Sequence, residues 1–298
     1  MPIGILGGGA KIAVELDRRA GPYYPGDVIH AAITLDSEKE VKISGLRVGL
    51  LAWEVSLIEE EEGPPSRRNT MDEMVAAVTL IDETTLAAGF HGTYQVDLPI
   101  PGDAFPPYAS SSLRSGWLVK ATVDRGFRKD ATYQVDLPLV VPPPGEHAQA
   151  GEVGEASEPE TVDMRLWLPS LEWVEGETIE GRLLIRPRKG FDAGEVRVDL
   201  KRQEKVHVPG YKHGSTYPSI DRVVLAGKTR FQPGQEADLP FRFPIRAMGC
   251  PTRRTASSTV VYTLQAVLSR RLRKDCTVHT EIWLYNGRGA AQGTLEVR

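Results

Sequence analysis

The side chains best suited to binding chemistry in this sequence are cations, and two similar turns contain most of them. Each turn ends on an aspartate, Asp130 or Asp275, which leaves net charges of +2 and +3. Exposed cations attract acidic protein segments and anionic lipid headgroups. We interpret both turns as partner contacts, and the alternative is a pair of hairpins kept solvated by their charges. The cations are Arg125, Arg128 and Lys129 in the first turn, and Arg270, Arg271, Arg273 and Lys274 in the second.

Two further polar segments are candidates for contact with a protein partner. The segment His207–Arg222 is basic and includes Lys212 and His213. The acidic run 59–62, which includes Glu60 and Glu61, suits a basic partner or forms a solvated hairpin tip that discourages edge pairing. We therefore expect partner contacts at 207–222, at 59–69 and at the two basic turns.

The motifs of common enzymes are absent. The sequence has no G-x-S-x-G, S-x-x-K or H-E-x-x-H pattern. The opening run Gly7–Lys11 lacks the spacing and the Ser/Thr of a phosphate loop, and the six histidines are scattered. Cys250 and Cys276 are expected to pack as buried thiols. We predict no catalytic residues, no metal site and no cofactor.

Composition indicates a water-soluble globular protein. Of 298 residues, 41% are hydrophobic and 26% charged, and no stretch is apolar enough for a transmembrane helix. Residues 1–9 lack the basic region of a secretion signal, and two cysteines fit a reducing compartment. These features predict a cytoplasmic protein.

Charge is distributed unevenly along the chain. The net charge is −7 over 1–141, −5 over 142–160 and +8 over 161–298. An acidic half beside a basic half favours charge-steered protein contacts. Neither half combines strong basicity with interleaved aromatics, so the sequence argues against nucleic-acid binding.

An internal repeat predicts two domains. Gly26-Asp27 aligns with Gly176-Glu177 at an offset of 150, whereas 78–100 aligns with 223–245, and 117–132 with 262–277, at an offset of 145. Matches in the same order indicate a duplicated domain. The boundaries are 1–141, an exposed acidic Pro/Gly-rich linker at 142–160, 161–286 and a tail at 287–298.

Each copy has the pattern of β-strands. Apolar and β-branched residues alternate or cluster in 11–16, 28–35, 41–53, 195–200, 239–243 and 260–268, between Gly- and Pro-containing turns. The pattern at 71–78 fits a helix or a strand equally. We predict an all-β protein of two tandem β-sandwiches.

The repeat unit resembles an arrestin-type domain. The run Val119-Lys120-Ala121-Thr122-Val123-Asp124-Arg125 is similar to the "V-K-A-x-V-D-R-P-W/F" run of α-arrestins, and 90–99 to their "F-x-F-x-L-P" strand. The resemblance covers about 11–141 and 162–286, and the layout is most similar to bacterial sporulation-control arrestin-like proteins. It implies two tandem arrestin-type β-sandwiches related by internal duplication.

The sequence departs from the arrestin pattern in three places. Gly126 replaces a proline, the strand 135–141 lacks the arginine of a phosphate-sensing polar core, and no P-P-x-Y tail follows the second copy. Phosphate-triggered release and ubiquitin-adaptor activity are therefore not expected.

These inferences predict a non-enzymatic arrestin-like scaffold or adaptor that binds protein partners through sandwich faces and inter-lobe loops. One alternative is a peripheral membrane or coat-type adaptor that uses the basic second lobe for weak anionic-membrane contact. Another is a sugar-binding accessory module or an enzyme. The sequence leaves the oligomeric state open, including an edge-strand dimer. It also leaves open whether the tail 287–298 pairs with the first lobe.

Overall fold

A computed structural model describes residues 4–5, 10–18, 21–58, 66–126, 130–143, 149–154, 156–207 and 216–287. Contacts divide the chain into two compact units, Met1–Val141 and Pro142–Ala290. Within the described residues every regular element is a β-strand, which confirms the all-β prediction. No helix in these ranges is long and apolar enough to cross a membrane.

The described part of the first unit contains eleven strands. They are β1 (Gly4–Ile5), β2 (Ala10–Leu16), β3 (Val28–Ser37), β4 (Val41–Ile43), β5 (Gly45–Ile58), β6 (Ser66–Ile81), β7 (Thr84–Leu86), β8 (Phe90–Pro99), β9 (Tyr108–Ala109), β10 (Leu113–Asp124) and β11 (Ala131–Asp136).

These strands form two main sheets around one core. One sheet has the order β1-β2-β3-β8, and the other β11-β10-β5-β6 with β9 beside β10. Inward-facing apolar residues of both sheets, such as Ile12, Ile33, Val48 and Val119, are fully or almost fully buried in a single cluster. The alternation of buried and exposed residues along β3 shows why this sequence folds as two packed sheets.

The second unit contains twelve strands in its described part. They are β12 (Gln149–Val153), β13 (Val162–Ser170), β14 (Glu172–Val174), β15 (Thr178–Pro187), β16 (Phe191–Ala193), β17 (Glu195–Val206), β18 (Thr216–Ala226), β19 (Thr229–Phe231), β20 (Ala237–Pro244), β21 (Arg253–Arg254), β22 (Ser258–Ser269) and β23 (Cys276–Tyr285).

The strand order of the second unit parallels that of the first. Its sheets run β12-β13-β15-β20 and β14-β23-β22-β17-β18, with β21 beside β22. The short pair β16-β19 matches β4-β7. The parallel pairing of β14 with β23 has a counterpart in a single parallel bridge between Tyr23 and Leu139.

Backbone hydrogen bonds also recur at matched positions. The N–H of Gly26 donates to the carbonyl of Ile100 at 3.2 Å, and that of Gly176 to Ile245 at 3.1 Å. Both glycines have positive φ, 86° and 94°, which explains why glycine occupies this turn in each unit. These pairs follow the sequence offsets of 150 and 145.

Part of the stretch 142–160, which we expected to be an exposed linker, is a strand. Its residues 149–153 form β12, an edge strand paired with β13, and Ser157 N–H donates to the carbonyl of Thr277 at 2.8 Å. Strand pairing here is carried by backbone groups, so it does not need the large apolar side chains whose absence suggested a linker. The ambiguous segment 71–78 lies in β6 and is a strand. The tail 287–298, whose pairing with the first lobe the sequence leaves open, lies almost wholly outside the described residues.

Candidate partner-binding site

An open groove crosses the outward face of the larger sheet in the second unit. Its volume is about 490 Å³. Three neighbouring strands, β17, β22 and β23, form its floor. The lining residues are Gln203, Lys205, Thr259, Val261, Thr263, His279, Thr280 and Glu281.

Strand register explains why most of these side chains share one face. Gln203 is directly opposite Val261, and Thr263 is directly opposite Glu281. Directly opposed residues of antiparallel strands project from the same side of a sheet. The intervening residue Tyr262 points inward and is buried. The alternation of polar and apolar residues in β22 therefore produces a polar outward face over an apolar core.

Charged contacts fix one side of the groove. Glu281 forms an ion pair with Arg254. The Arg254 guanidinium also lies 5.8 Å from the ring centre of Trp283, a cation–π arrangement. These contacts hold the Glu281 carboxylate at the groove edge. On the neighbouring strand, the Thr259 hydroxyl is 3.5 Å from His207 Nε2.

The groove can form hydrogen bonds along its length but has no arrangement for metal chemistry. Its amide, hydroxyl, ammonium and carboxylate groups include both donors and acceptors. Within the described ranges no three His, Cys, Asp or Glu side chains cluster as metal ligands. Such a lining suits an extended polypeptide, whose backbone presents donors and acceptors at regular intervals.

A buried polar cluster supports the sheet beneath the groove. Glu204, almost completely buried, forms an ion pair with Arg202 at 3.1 Å. The Tyr262 hydroxyl donates to the carbonyl of Cys250 at 2.5 Å. Burial raises the pKa of the Tyr262 hydroxyl. Glu175 accepts hydrogen bonds from the N–H groups of Cys250 and Gly249 at 2.7 and 3.1 Å.

Despite these two hydrogen bonds, burial disfavours the ionised form of the Glu175 carboxyl. Burial raises its pKa, and the backbone hydrogen bonds and the nearby Arg202 charge only partly oppose that effect. The cluster therefore ties the loop around Cys250 to the strands that form the groove.

In the first unit, the outward face of the sheet β11-β10-β5-β6 is apolar, whereas the matching face of the second unit is polar. Leu51 and Leu118 lie outside the core cluster yet are 7% exposed, and Met74 is 45% exposed. A Cβ atom on Gly49 would lie 2.3 Å from the Met74 sulfur, so that glycine makes room for Met74. The Trp53 indole N–H is buried there and has no hydrogen-bond acceptor among the described residues.

The second basic turn presents only part of its predicted charge. Arg270 is 9% exposed, and its Nε donates to the carbonyl of Lys274 at 2.7 Å. It also pairs with Glu158 at 3.8 Å. Arg270 therefore stabilises the turn, whereas Arg271, Arg273 and Lys274 are exposed.

Leu272 occupies the tip of this turn. Its side chain is 95% exposed, and its φ of 58° is the only positive value of a non-glycine residue in the described chain. Such backbone geometry costs a leucine about 1–2 kcal/mol. A hydrogen bond closes the base of the turn, where the Arg270 N–H donates to the Asp275 carboxylate at 2.9 Å.

The other predicted contact residues are only partly covered by the structure. Arg125 is half-buried, and its N–H donates to the Asp130 carboxylate at 3.1 Å, as Arg270 does to Asp275. The segment 216–222 belongs to β18, and 66–69 to β6. The remaining candidates lie outside the described residues: Arg128, Lys129, Lys212, His213, Glu60 and Glu61.

Sequence reasoning missed the groove and the apolar face of the first unit. The signal for the groove is the alternation of Thr259, Val261 and Thr263 in β22. The sequence predicts a strand over 260–268, but nothing in that strand alone marks a binding face. For the apolar face the signal was weaker, because Leu51 and Trp53 belong to a nearly continuous apolar run.

Comparison with models of protein families finds no match for this chain, and comparison with curated protein sequences finds none either.

Proposed function

We propose that this chain is a non-enzymatic, arrestin-like binding protein of the cytoplasm, built from two copies of one ancestral β-sandwich. Three observations support the duplication: the parallel strand orders, the short pairs β4-β7 and β16-β19, and the matched turns at Gly26 and Gly176. Two buried free cysteines fit a reducing compartment. The arrestin assignment rests on the sequence resemblance of 117–130 and on this layout.

The binding site in this proposal is the groove on β17, β22 and β23. It is open along the sheet and its lining provides both hydrogen-bond donors and acceptors, so it fits an extended segment of a partner protein. A sugar-binding or catalytic function would need converging polar groups in a deeper pocket. Binding by surface complementarity needs only the existing face, stiffened by the polar cluster around Glu204.

A blocked groove tests this proposal. Thr263→Trp places a large ring at the centre of the groove without changing the core, since Thr263 projects outward from β22. We expect the wild-type chain to retain a discrete protein partner from its native cells and the variant to lose it. Equal recovery of that partner by both proteins would contradict the proposal.

A matched variant separates the groove from general surface effects. Thr34→Trp makes the same change in the first unit, on the outward face of the sheet β1-β2-β3-β8. Thr34 lies there on β3, opposite Thr93 of β8. We expect this variant to retain the partner. Circular dichroism of all three proteins confirms that each is folded.

A second candidate function is contact with an anionic membrane, which the exposed tip Arg271–Lys274 favours. Leu272 projects an apolar side chain between Arg271, Arg273 and Lys274. Three cations at about 1 kcal/mol each contribute roughly 3 kcal/mol, which supports weak and reversible association only. We expect the protein to co-sediment with phosphatidylserine vesicles at low salt and to lose this binding at high salt. Equal binding to neutral vesicles would exclude the membrane function.

A further inference from the structure

The strand β8 is an edge without the usual protection against pairing. In the described part of the sheet β8 is hydrogen-bonded to β3 on one side, and no strand is hydrogen-bonded to it on the other. The register of β8 with β3 is regular over ten residues, Phe90–Pro99. The strand contains no Lys or Arg, and its only proline is the last residue.

Two other edge strands are protected. The equivalent edge of the second unit, β20, contains Pro240 and Pro244, which cannot donate to a further strand. The edge strand β6 has three register shifts against β5, and such bulges disrupt pairing. The contrast between β8 and β20, which lie at the same place in matched sheets, singles out β8.

The proline in β20 also shows which way the backbone groups of β8 point. Pro240 is opposite Arg182, and Gln95 is opposite Ala32, at the same register in the two units. A proline is tolerated in a paired strand only where its nitrogen faces away from the neighbour. The N–H groups at 91, 93, 95 and 97 therefore face the open edge, since N–H direction alternates along a strand.

The sequence of β8 is complementary to itself. When two copies pair antiparallel about Tyr94, His91 of each copy is opposite Asp97 of the other, and Thr93 is opposite Gln95. Phe90 is then opposite Leu98 on the inward face. The opposed residues 91 and 97 both have N–H groups directed at the edge, so the backbone pattern of this register is also consistent.

The charges of the neighbouring strand extend this complementarity. His91 Nδ1 is 2.6 Å from an Asp36 carboxylate oxygen, and His30 Nδ1 is 2.7 Å from an Asp97 oxygen. In the paired arrangement the row across four strands reads Asp36, His91, Asp97, His30, with the last two from the second copy. Carboxylates and imidazoles alternate along that row, and no two carboxylates are opposed.

We propose that Phe90–Pro99 pairs antiparallel with the same strand of a second copy of this chain, about a two-fold axis at Tyr94. The two four-stranded sheets become one continuous sheet through about eight backbone hydrogen bonds. A single strand pair buries less surface than a standard protein interface, so the homodimer is weak and forms at micromolar concentrations. The surface is distinct from the groove of the second unit.

Sedimentation equilibrium of the full chain tests the dimer. Gln95→Pro removes one edge-facing N–H and copies the proline at the equivalent position of β20, so the fold tolerates it. We expect the wild type to dimerise and Gln95→Pro to weaken the dimer at least tenfold. Gln95→Ala keeps the N–H and is the matched control, which should still dimerise. A wild-type chain that stays monomeric up to about 100 μM, well above the micromolar range expected for this weak dimer, overturns the proposal.

Disulfide trapping tests the register. Only residue 94 is opposite itself, so Tyr94→Cys should form a covalent dimer with oxidised glutathione, whereas Thr93→Cys should not. The native Cys250 and Cys276 are buried and do not compete. Trapping through Thr93→Cys as efficiently as through Tyr94→Cys, or through neither, contradicts this register. Partner recovery by the groove is measured separately, so either proposal can fail alone.

Discussion

Glu54 and Glu204 occupy equivalent positions in the two units, and both carboxylates are buried, with 0% and 1% exposure. Glu54 is opposite Ser115 across its sheet, and Glu204 is opposite Val260. The partners differ. Glu54 accepts a hydrogen bond from the Thr70 hydroxyl at 2.7 Å, whereas Glu204 pairs with the Arg202 guanidinium at 3.1 Å. The buried acid thus contacts a hydroxyl donor in the first unit and a guanidinium in the second.

This difference predicts unequal costs of removing the two acids. Glu204→Ala leaves the Arg202 charge without its carboxylate and should destabilise the second unit by about 3 kcal/mol. Glu54→Ala removes the acceptor of the Thr70 hydroxyl and should cost the first unit about 1–2 kcal/mol. Hydrogen exchange of β5 and β17 as a function of urea measures each unit separately. Gln203→Ala, on the outward face, is the control and should change stability by less than about 0.5 kcal/mol. Equal losses for the two glutamate variants would contradict this account of their partners.

Because Leu272 strains the backbone at the tip of the second basic turn, removing its side chain should raise stability and weaken membrane binding. Leu272→Gly removes the side chain from a residue with a φ of 58° and should stabilise the protein by about 1 kcal/mol. The same variant should bind phosphatidylserine vesicles more weakly. Arg271→Gly, next to it, removes a charge without relieving that strain. A Leu272→Gly variant that loses stability would show that the leucine has a packing role.

The pair His30–Asp97 predicts a pH effect in the first unit. The hydrogen bond and charge of Asp97 raise the pKa of His30 above its ordinary value of 6.5. Asp17 adds to this effect, and Arg18 opposes it. Because the folded pKa is raised, the contribution to stability is complete below pH 6.5 and is lost as the pH rises through the folded pKa.

An NMR titration of His30 measures this shift directly. Asp97→Asn should return the midpoint toward 6.5, whereas Asp36→Asn, which removes the partner of His91, should leave it in place. An unchanged His30 midpoint in Asp97→Asn would exclude the proposed pair.

Glu175 predicts the opposite kind of pH dependence in the second unit. Burial raises its pKa above the ordinary 4.5, so the folded state binds this proton more tightly than the unfolded state. Its contribution to stability therefore falls as the pH rises from 4.5 through the folded pKa, and the penalty is complete above it. Glu175→Gln should flatten this part of the stability profile, measured by urea unfolding between pH 4.5 and 8. A slope identical to the wild type would contradict it.

Much of the architecture followed from sequence because strand alternation and turn residues are local signals. Alternation in 28–35 and 260–268, with Gly26 and Gly176 at matched turns, was sufficient to predict β-sheets. The strand Gln149–Val153 was missed because an edge strand paired through its backbone needs few apolar side chains.

The site was less predictable because contacts across strands set it. The basic turn suggested four exposed cations, but the chain folds back so that Arg270 binds the carbonyl of Lys274 and becomes part of the turn. The groove depends on which residues of β17, β22 and β23 are directly opposed. Register is a property of paired strands and cannot be read from one strand alone.

Site-specific photo-cross-linking in native cells tests directly whether the groove of the second unit binds a protein partner. A photoreactive amino acid replaces Thr263 in the groove or, as the matched control, Thr34 on the other unit's outward face. We expect a discrete protein partner to be cross-linked from position 263 and not from position 34. Cross-linking to no protein from position 263, or to the same proteins from both positions, would contradict a partner-binding groove in the second unit.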